Sequence, residues 1–304
     1  MEIIKLKGVI KNYLWGGVRL KEYGKSGDDI MAESWELSVH QDGLSIVDSG
    51  KNKGQNLKEY LKNNNHILGN KADLNIMIKY IDARAPLSIQ VHPDDDYALR
   101  VEQEFGKTEM WYIMEALEGS YIYYGVNREV SIEELKERVK NGTILEVLNK
   151  IETKKGDSFF IEAGTIHSIG EGNLICEIQQ NSNITYRIYD FNRRDKFGNL
   201  RELHIDKAMD VVKTTPNNIF KPSKIDINSE KICSCKHFEV EHYHIENELI
   251  LNTDSEYQVI NFLDGRGMIE ELEYKKGDTF IVPANYGYYK IVGKGDILKT
   301  ISKI

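Results

Sequence analysis

The strongest constraint on this chain is a rhythm of short apolar runs cut by glycine. Ile89-Gln90-Val91-His92, Trp111-Tyr112-Ile113-Met114, Phe159-Phe160-Ile161 and Leu174-Ile175-Cys176-Glu177-Ile178 are rich in β-branched and aromatic residues, and they read as strands. Gly156-Asp157, Gly170-Glu171-Gly172-Asn173, Asp264-Gly265-Arg266-Gly267 and Gly277-Asp278 read as turns. Many closely spaced strands, with few proline-rich linkers, predict a mainly β chain folded as a barrel or sandwich.

An internal echo divides that pattern. Gly156-Asp157-Ser158-Phe159-Phe160-Ile161-Glu162-Ala163-Gly164 is matched by Gly277-Asp278-Thr279-Phe280-Ile281-Val282-Pro283-Ala284-Asn285. Each reads as a turn, an apolar strand and a tight turn, so the chain contains two related β modules. His167 follows Gly164 by three residues, and Tyr288 holds the equivalent place after Asn285. The second module has therefore lost a candidate ligand. The polar stretch Thr214-Thr215-Pro216-Asn217-Asn218 sets the expected boundary, giving modules over 1–213 and 214–304.

Helices interrupt the strands in a few places. Ser131 with Glu134 forms a capping box, with Ile132, Leu135 and Val139 on one face and Asn141-Gly142 at the end. Thr143 with Glu146 forms a second box, so a short helical pair is expected at about 131–150. Further helices are expected within 204–212 and at about 56–63. All of them read as packing elements.

A formal net charge of -8 argues against nucleic acid and anionic membrane as partners. An anionic substrate would need a local basic pocket. Three cysteines, Cys176, Cys233 and Cys235, are too few for a disulfide framework. No run is apolar enough to span a membrane, and the N-terminus carries no apolar signal segment, so the expected compartment is the cytoplasm.

Gln90-x-His92 places two polar side chains on one strand face. Glu109 stands at the entry to the next strand, and His167 follows the Gly156 turn-strand unit. Two histidines and a carboxylate suit Zn²⁺, Fe²⁺ or a related ion with positions left for substrate, and the Gln90 oxygen is a possible fourth ligand. A lone histidine near a strand is usually structural, so the weight rests on the joint pattern. Cys233-x-Cys235-x-His237 with His242-x-His244 is a competing cluster, but it lacks paired C-x-x-C spacing and reads as strand packing. Asp94-Asp95-Asp96 reads as a helix start. Arg187, in Thr185-Tyr186-Arg187-Ile188-Tyr189-Asp190, would be costly on an inner face unless paired with a carboxylate or a substrate anion.

Ala163-Gly164-Thr165-Ile166-His167 resembles the second cupin motif, with Glu162 where proline is usual and Glu171 where asparagine is expected. Tyr13-Leu14-Trp15-Gly16-Gly17, Ala32-Glu33-Ser34-Trp35-Glu36, Pro86-Leu87-Ser88-Ile89-Gln90-Val91-His92-Pro93-Asp94, Gly106-Lys107-Thr108-Glu109-Met110-Trp111 and Tyr186-Arg187-Ile188-Tyr189-Asp190 resemble the type I mannose-6-phosphate isomerases. The likeness runs in order from about residue 8 to 212. It implies two cupin-like β-barrel or jelly-roll modules with a small helical insertion, the first catalytic and the second degenerate. It also implies a zinc-dependent aldose–ketose isomerase, with one Zn²⁺ per chain and a phosphorylated hexose as substrate. Carried over by motif, the metal ligands are His92, Glu109 and His167, with Gln90 as a possible fourth, and Arg187 is the active-site arginine. Ser88, Lys107, Trp15 and Glu33 are expected to contact substrate. The same ligand types also suit a non-haem iron oxygenase, and a non-catalytic metal-stabilised sugar-phosphate sensor is the other alternative.

Overall fold

The computed structural model describes residues 1–304 apart from 28, 196, 218–221 and 304. Part of the expected boundary, at Asn218, lies outside the described residues. The N-terminal half is built mainly from two antiparallel sheets. One has six strands in the order Ser158–Ile161, Glu109–Ala116, Asn173–Gln180, Ile76–Asp82, Glu33–Leu37 and Val9–Lys11. The other has five, in the order Tyr186–Tyr189, Ile89–Val91, His167–Ile169, Tyr121–Val126 and Leu148–Glu152. The strand pairing closes no barrel among the described residues.

Alternation along the strands sorts side chains into layers. From Glu109–Ala116, Met110 and Tyr112 point toward the C-terminal sheet and pack with Phe238, Val240 and Leu298. Trp111 and Ile113 point the other way and pack with Ile122, Tyr124 and Ile169 of the five-stranded sheet. Both faces of the six-stranded sheet are thus buried, which accounts for its near-continuous apolar runs. The outer face of the five-stranded sheet is covered by helices, with Leu135 and Met209 packed on Ile89 and Val91.

Those helices follow their caps. Ser131 accepts from the Glu134 amide and opens Ile132–Asn141, and Gly142 closes it at φ 71°. Asp94 caps Asp95–Val101 through the Tyr97 amide, as expected of a helix start. Leu57–Asn63 and Ile205–Val211 also form near the expected places. The second half of the expected pair does not. Thr143 makes no side-chain cap, Ile144–Val147 is a single 3₁₀ turn, and Leu148–Glu152 is a strand paired to Tyr121–Val126. Pairing to a sheet edge overrides the local capping signal there.

The third sheet has eleven strands and carries the C-terminal half. Its hub is Gly287–Ser302, sixteen residues long. Residues 287–292 pair with Glu248–Thr253, and residues 295–302 pair with Phe238–Ile245. The change of partner falls at Gly293 and Gly295, where a Cβ would lie 2.5 Å from the Arg266 carbonyl and 2.1 Å from that of Asp264. The chain's first strand, Ile4–Lys7, joins this sheet against Thr279–Val282. Ile46–Val47 pairs with the far side of that strand, so two N-terminal strands join the C-terminal sheet, which a boundary drawn by local composition does not anticipate.

Candidate active site

The six-stranded and five-stranded sheets face each other across an apolar layer, and polar side chains interrupt that layer at one end. His92 leaves the end of Ile89–Val91, His167 opens His167–Ile169, and Glu109 opens Glu109–Ala116. Gln90 is the direct register partner of both His167 and Arg187 on its two neighbouring strands. One sheet thus supplies both histidines, Gln90 and Arg187, and the opposite sheet supplies Glu109, Glu33, Lys79 and Glu177.

His92, Glu109 and His167 are wholly buried, and their donor atoms converge. His92 Nε2 lies 3.2 Å from His167 Nε2 and 3.6 Å from Glu109 Oε2, and His167 Nε2 lies 3.3 Å from Glu109 Oε1. His92 Nδ1 faces the Ile184 carbonyl at 2.8 Å, and His167 Nδ1 faces the Thr165 carbonyl at 2.8 Å. A carbonyl only accepts, so each Nδ1 carries the proton and each Nε2 turns a lone pair inward. Burial holds both imidazoles neutral. It pushes His92 well below its usual range, with Lys107 and His167 adding to the effect, and it lowers His167 to about 4. Glu109 Oε1 has no hydrogen-bond partner, although a buried carboxylate oxygen is costly to leave unmet.

This donor set fits a divalent ion. Two ligands, each about 2.1 Å from a tetrahedral ion, stand roughly 3.4 Å apart, close to the observed separations. The neutral imidazole lone pairs and the orphaned carboxylate oxygen are the groups such an ion requires. Gln90 presents its amide nitrogen to His167 Nε2 at 3.3 Å, and its oxygen accepts from Ser88 Oγ at 3.3 Å. A half-turn of the amide exchanges those two atoms.

Alternating charges continue from this centre across the six-stranded sheet. Lys107 Nζ lies 2.7 Å from Glu109 Oε2 and 3.8 Å from Glu177 Oε1. Lys79 Nζ lies 3.5 Å from Glu177 Oε1 and 4.0 Å from Glu33 Oε2. The indoles of Trp111 and Trp35 donate to Glu177 and Glu33. Burial raises Glu177, but Lys107, Lys79 and the Trp111 hydrogen bond outweigh it and leave the group below its usual range. Burial also lowers Lys107, and Glu109 with Glu177 more than restores it. Glu109 is raised by burial and by the neighbouring Glu177 charge.

A cavity of about 280 Å³ lies next to the centre, lined by Gln90 and Lys107, which touch His167 and Glu109. Trp15, Glu33, Ser88, Gln90, Lys107 and Arg187, the residues expected to contact substrate or flank the ligands, all line it. Lys79, Glu177 and Arg201 line it too, and sequence reasoning missed these three as site residues. Lys79 and Glu177 are single charges inside apolar strands, in direct register across Ile76–Asp82 and Asn173–Gln180. That complementarity of sign was a usable signal. Lys107 lies deeper than a phosphate-binding role suggests, enclosed by two carboxylates. Arg187 Nη1 donates to the Glu202 carbonyl at 2.8 Å, while its buried Nε has no partner.

The competing cluster does not assemble into a metal centre among the described residues. Cys233 is buried in the core, and His242 and His244 both turn to Asp296, at 3.2 Å and 3.1 Å.

Facing antiparallel sheets, with two histidines and a carboxylate converging beside a pocket, define a cupin-type protein whose centre can hold a metal ion. Residues 3–140 match the catalytic domain of type I phosphomannose isomerase, and residues 228–302 match the mannose-6-phosphate isomerase cupin domain. Mannose-6-phosphate isomerase ManA of Bacillus subtilis is 33% identical over 98% of both chains. The mannose-6-phosphate isomerase of Streptococcus mutans is 35% identical over 99% of this chain and 98% of its own. A crystal structure of mannose 6-phosphate isomerase from Bacillus subtilis superposes with a TM-score of 0.93 at 32% identity, covering 99% of each chain. The chain belongs to the type I mannose-6-phosphate isomerase family.

Proposed function

We propose that this protein interconverts mannose 6-phosphate and fructose 6-phosphate, using one Zn²⁺ held by His92, Glu109 and His167, with the Gln90 oxygen as a further ligand. The carrying observation is the buried triad with inward lone pairs and an orphaned carboxylate oxygen, set beside a pocket lined with charged groups. The isomerase names of the relatives point to the same reaction. The reaction moves a proton between C1 and C2 through an enediol intermediate. When bound, the ion supplies a Lewis acid for the charge that develops on O1 and O2.

The other roles belong to the chain's own side chains. Glu177 is the pocket carboxylate held ionised by Lys79 and Lys107, and we assign it the proton transfer, with Glu33 beside it as the second carboxylate. Lys107 neutralises Glu109 and Glu177 and places a cation at the reacting end of the cavity. Trp15 walls the cavity, and Ser88 hydrogen-bonds Gln90. Arg187 offers an incompletely partnered guanidinium to a substrate oxygen or phosphate. The phosphate lies away from the chemistry and supplies orienting energy. We further propose catalytic residues within 1–213, a C-terminal module over 214–304 that covers them, and action in the cytoplasm. Among the described residues no helix is long and apolar enough to cross a membrane.

The test is formation of fructose 6-phosphate from mannose 6-phosphate by purified protein, before and after chelation and with zinc restored. Turnover lost to the chelator and recovered with zinc is the expected result. No turnover in zinc-loaded protein contradicts the assignment.

A further inference from the structure

Two of the chain's three cysteines, Cys233 and Cys235, stand two residues apart where one strand of the C-terminal sheet turns into the next. Ser229–Ser234 pairs with Phe238–Ile245, with Cys233 opposite Val240 and Ser234 opposite Glu239. The Cys235 amide donates to the Phe238 carbonyl at 3.0 Å and closes the hairpin. Alternation turns Ser234 out to solvent and both cysteines toward the core. Cys233 is wholly buried there, in the cluster of Phe238 and Val240. Cys235 packs against the same cluster but keeps part of its surface in contact with solvent.

The two sulfurs are not equivalent. Cys235 Sγ accepts the His237 amide at 3.4 Å and lies 3.5 Å from the Phe238 carbonyl. The Cys233 thiol donates to Cys235 Sγ as well. That hydrogen bond holds the Cys235 thiol down at about 7 against the upward pull of burial, helped by the His237 amide and by the Lys303 ammonium, which is anchored to Ser234 Oγ at 2.7 Å. Cys233 moves the other way, raised by its donation to Cys235 and by burial. One sulfur thus ionises readily, and the other keeps its proton beside it. Residues two apart on a strand have Cα atoms roughly 6.6 Å apart, within the span of a disulfide. Cys176 shares none of these features. It is wholly buried within Asn173–Gln180, and burial raises its thiol well above the usual range.

We propose that Cys233 and Cys235 form a peroxide-sensitive modification site, at which Cys235 is oxidised first and Cys233 then closes a reversible disulfide with it. Hydrogen peroxide is the oxidant. The Cys235 thiolate attacks one peroxide oxygen, so an S–O bond forms and the O–O bond breaks. The hydroxide released takes up the proton that Cys235 had given up and becomes water, and Cys235 is left as a sulfenic acid. The Cys233 sulfur then attacks Cys235 Sγ. An S–S bond forms, the S–O bond breaks, and hydroxide leaves as water with the Cys233 proton. The two thiols lose two electrons in all, and one peroxide is reduced to two waters. A dithiol reductant reverses the bond. A reducing compartment keeps such a pair as thiols until oxidant rises, which suits a transient bond rather than a structural one. The proposal does not depend on the reaction at the triad.

The experiment treats reduced full-length protein with a small excess of hydrogen peroxide, alkylates the remaining thiols, and follows tryptic peptides by mass spectrometry. Cleavage after Lys231 and Lys236 releases residues 232–236, which carry both cysteines. In wild type that peptide should escape alkylation and be lighter by two hydrogens than its reduced form. Free thiols titrated in denaturant should fall from three to one, and a dithiol should restore them. Before oxidation, iodoacetamide should modify Cys235 about 100-fold faster than Cys176, with a pH midpoint near 7. Cys235→Ser should keep both of its remaining thiols through the peroxide treatment. Cys233→Ala lacks the resolving sulfur, so dimedone should trap the sulfenic acid at Cys235. Should that core substitution prevent folding, the wild-type peptide and Cys235→Ser still decide the result. Three free thiols after peroxide in wild type would overturn the site, as would oxidation of Cys176 that spares residues 232–236. A Cys235 sulfenic acid in wild type that never closes on Cys233 would overturn it too.

Discussion

The two echoing segments share a backbone and differ in what they end on. Gly156 and Gly277 both open their turns in the left-handed region, at φ 93° and 91°, and lead into Ser158–Ile161 and Thr279–Val282. Gly164 and Asn285 close them, at φ 86° and 57°. Three residues later the first segment delivers His167, wholly buried beside His92 and Glu109. The second delivers Tyr288, 79% exposed to solvent. The turn-strand-turn frame is thus a scaffold indifferent to chemistry. What separates the two is the single side chain at the exit and the two further donors, His92 and Glu109, that meet the first one from other strands.

That contrast yields graded tests. The largest effect is expected from His167→Ala, which removes one of three triad ligands. Bound metal measured by elemental analysis and turnover should fall together, by about 1,000-fold or more in activity. Arg187→Ala separates binding of the ion from use of the substrate. Metal content should stay at wild-type level while turnover falls roughly 100-fold, the scale of losing one charge-assisted contact made in the transition state.

A smaller effect is thermodynamic. His167 is lowered from 6.5 unfolded to about 4 when buried, so the unfolded chain binds more protons between those values. In chelated protein, this group's contribution is intact above pH 6.5 and is lost as pH falls toward 4, at a cost of about 3 kcal/mol. Glu109, raised by burial to about 7, acts with the opposite sign over much of that window, and the lowered His92 acts with the same sign. The test is therefore the difference in pH slope of the denaturant midpoint between wild type and His167→Gln, which loses the His167 share. Least of all is expected from Tyr288→His, which restores the ligand type at the echo position. The site is exposed and belongs to no cluster of metal-ligating side chains among the described residues, so stability should change by less than about 0.5 kcal/mol with no metal gained.

Much of the site was legible because its residues sit in strands whose period of two is easily read. Gln90 with His92, Glu109 at a strand entry and His167 after a glycine turn needed only local pattern and motif. The residues expected to contact substrate came from the resemblance, and one cavity gathers all of them. What escaped was non-local. Glu177 and Lys79 gain meaning only from register across two strands almost a hundred residues apart in sequence. Arg201 lines the cavity while held by Asp190, a placement that no spacing discloses. Ile4–Lys7 pairs with a strand near the other end of the chain. Residues 143–150 failed for a related reason: the capping signal at Thr143 is real as composition but loses to the sheet edge that claims Leu148–Glu152.

The central claim is that the buried triad is a metal centre on which isomerisation depends. Titrating zinc into chelated protein, while measuring bound metal and fructose 6-phosphate formation on the same samples, tests it most directly. Turnover should rise in proportion to bound zinc and level off at about one ion per chain. Full turnover in protein stripped of metal would contradict the account.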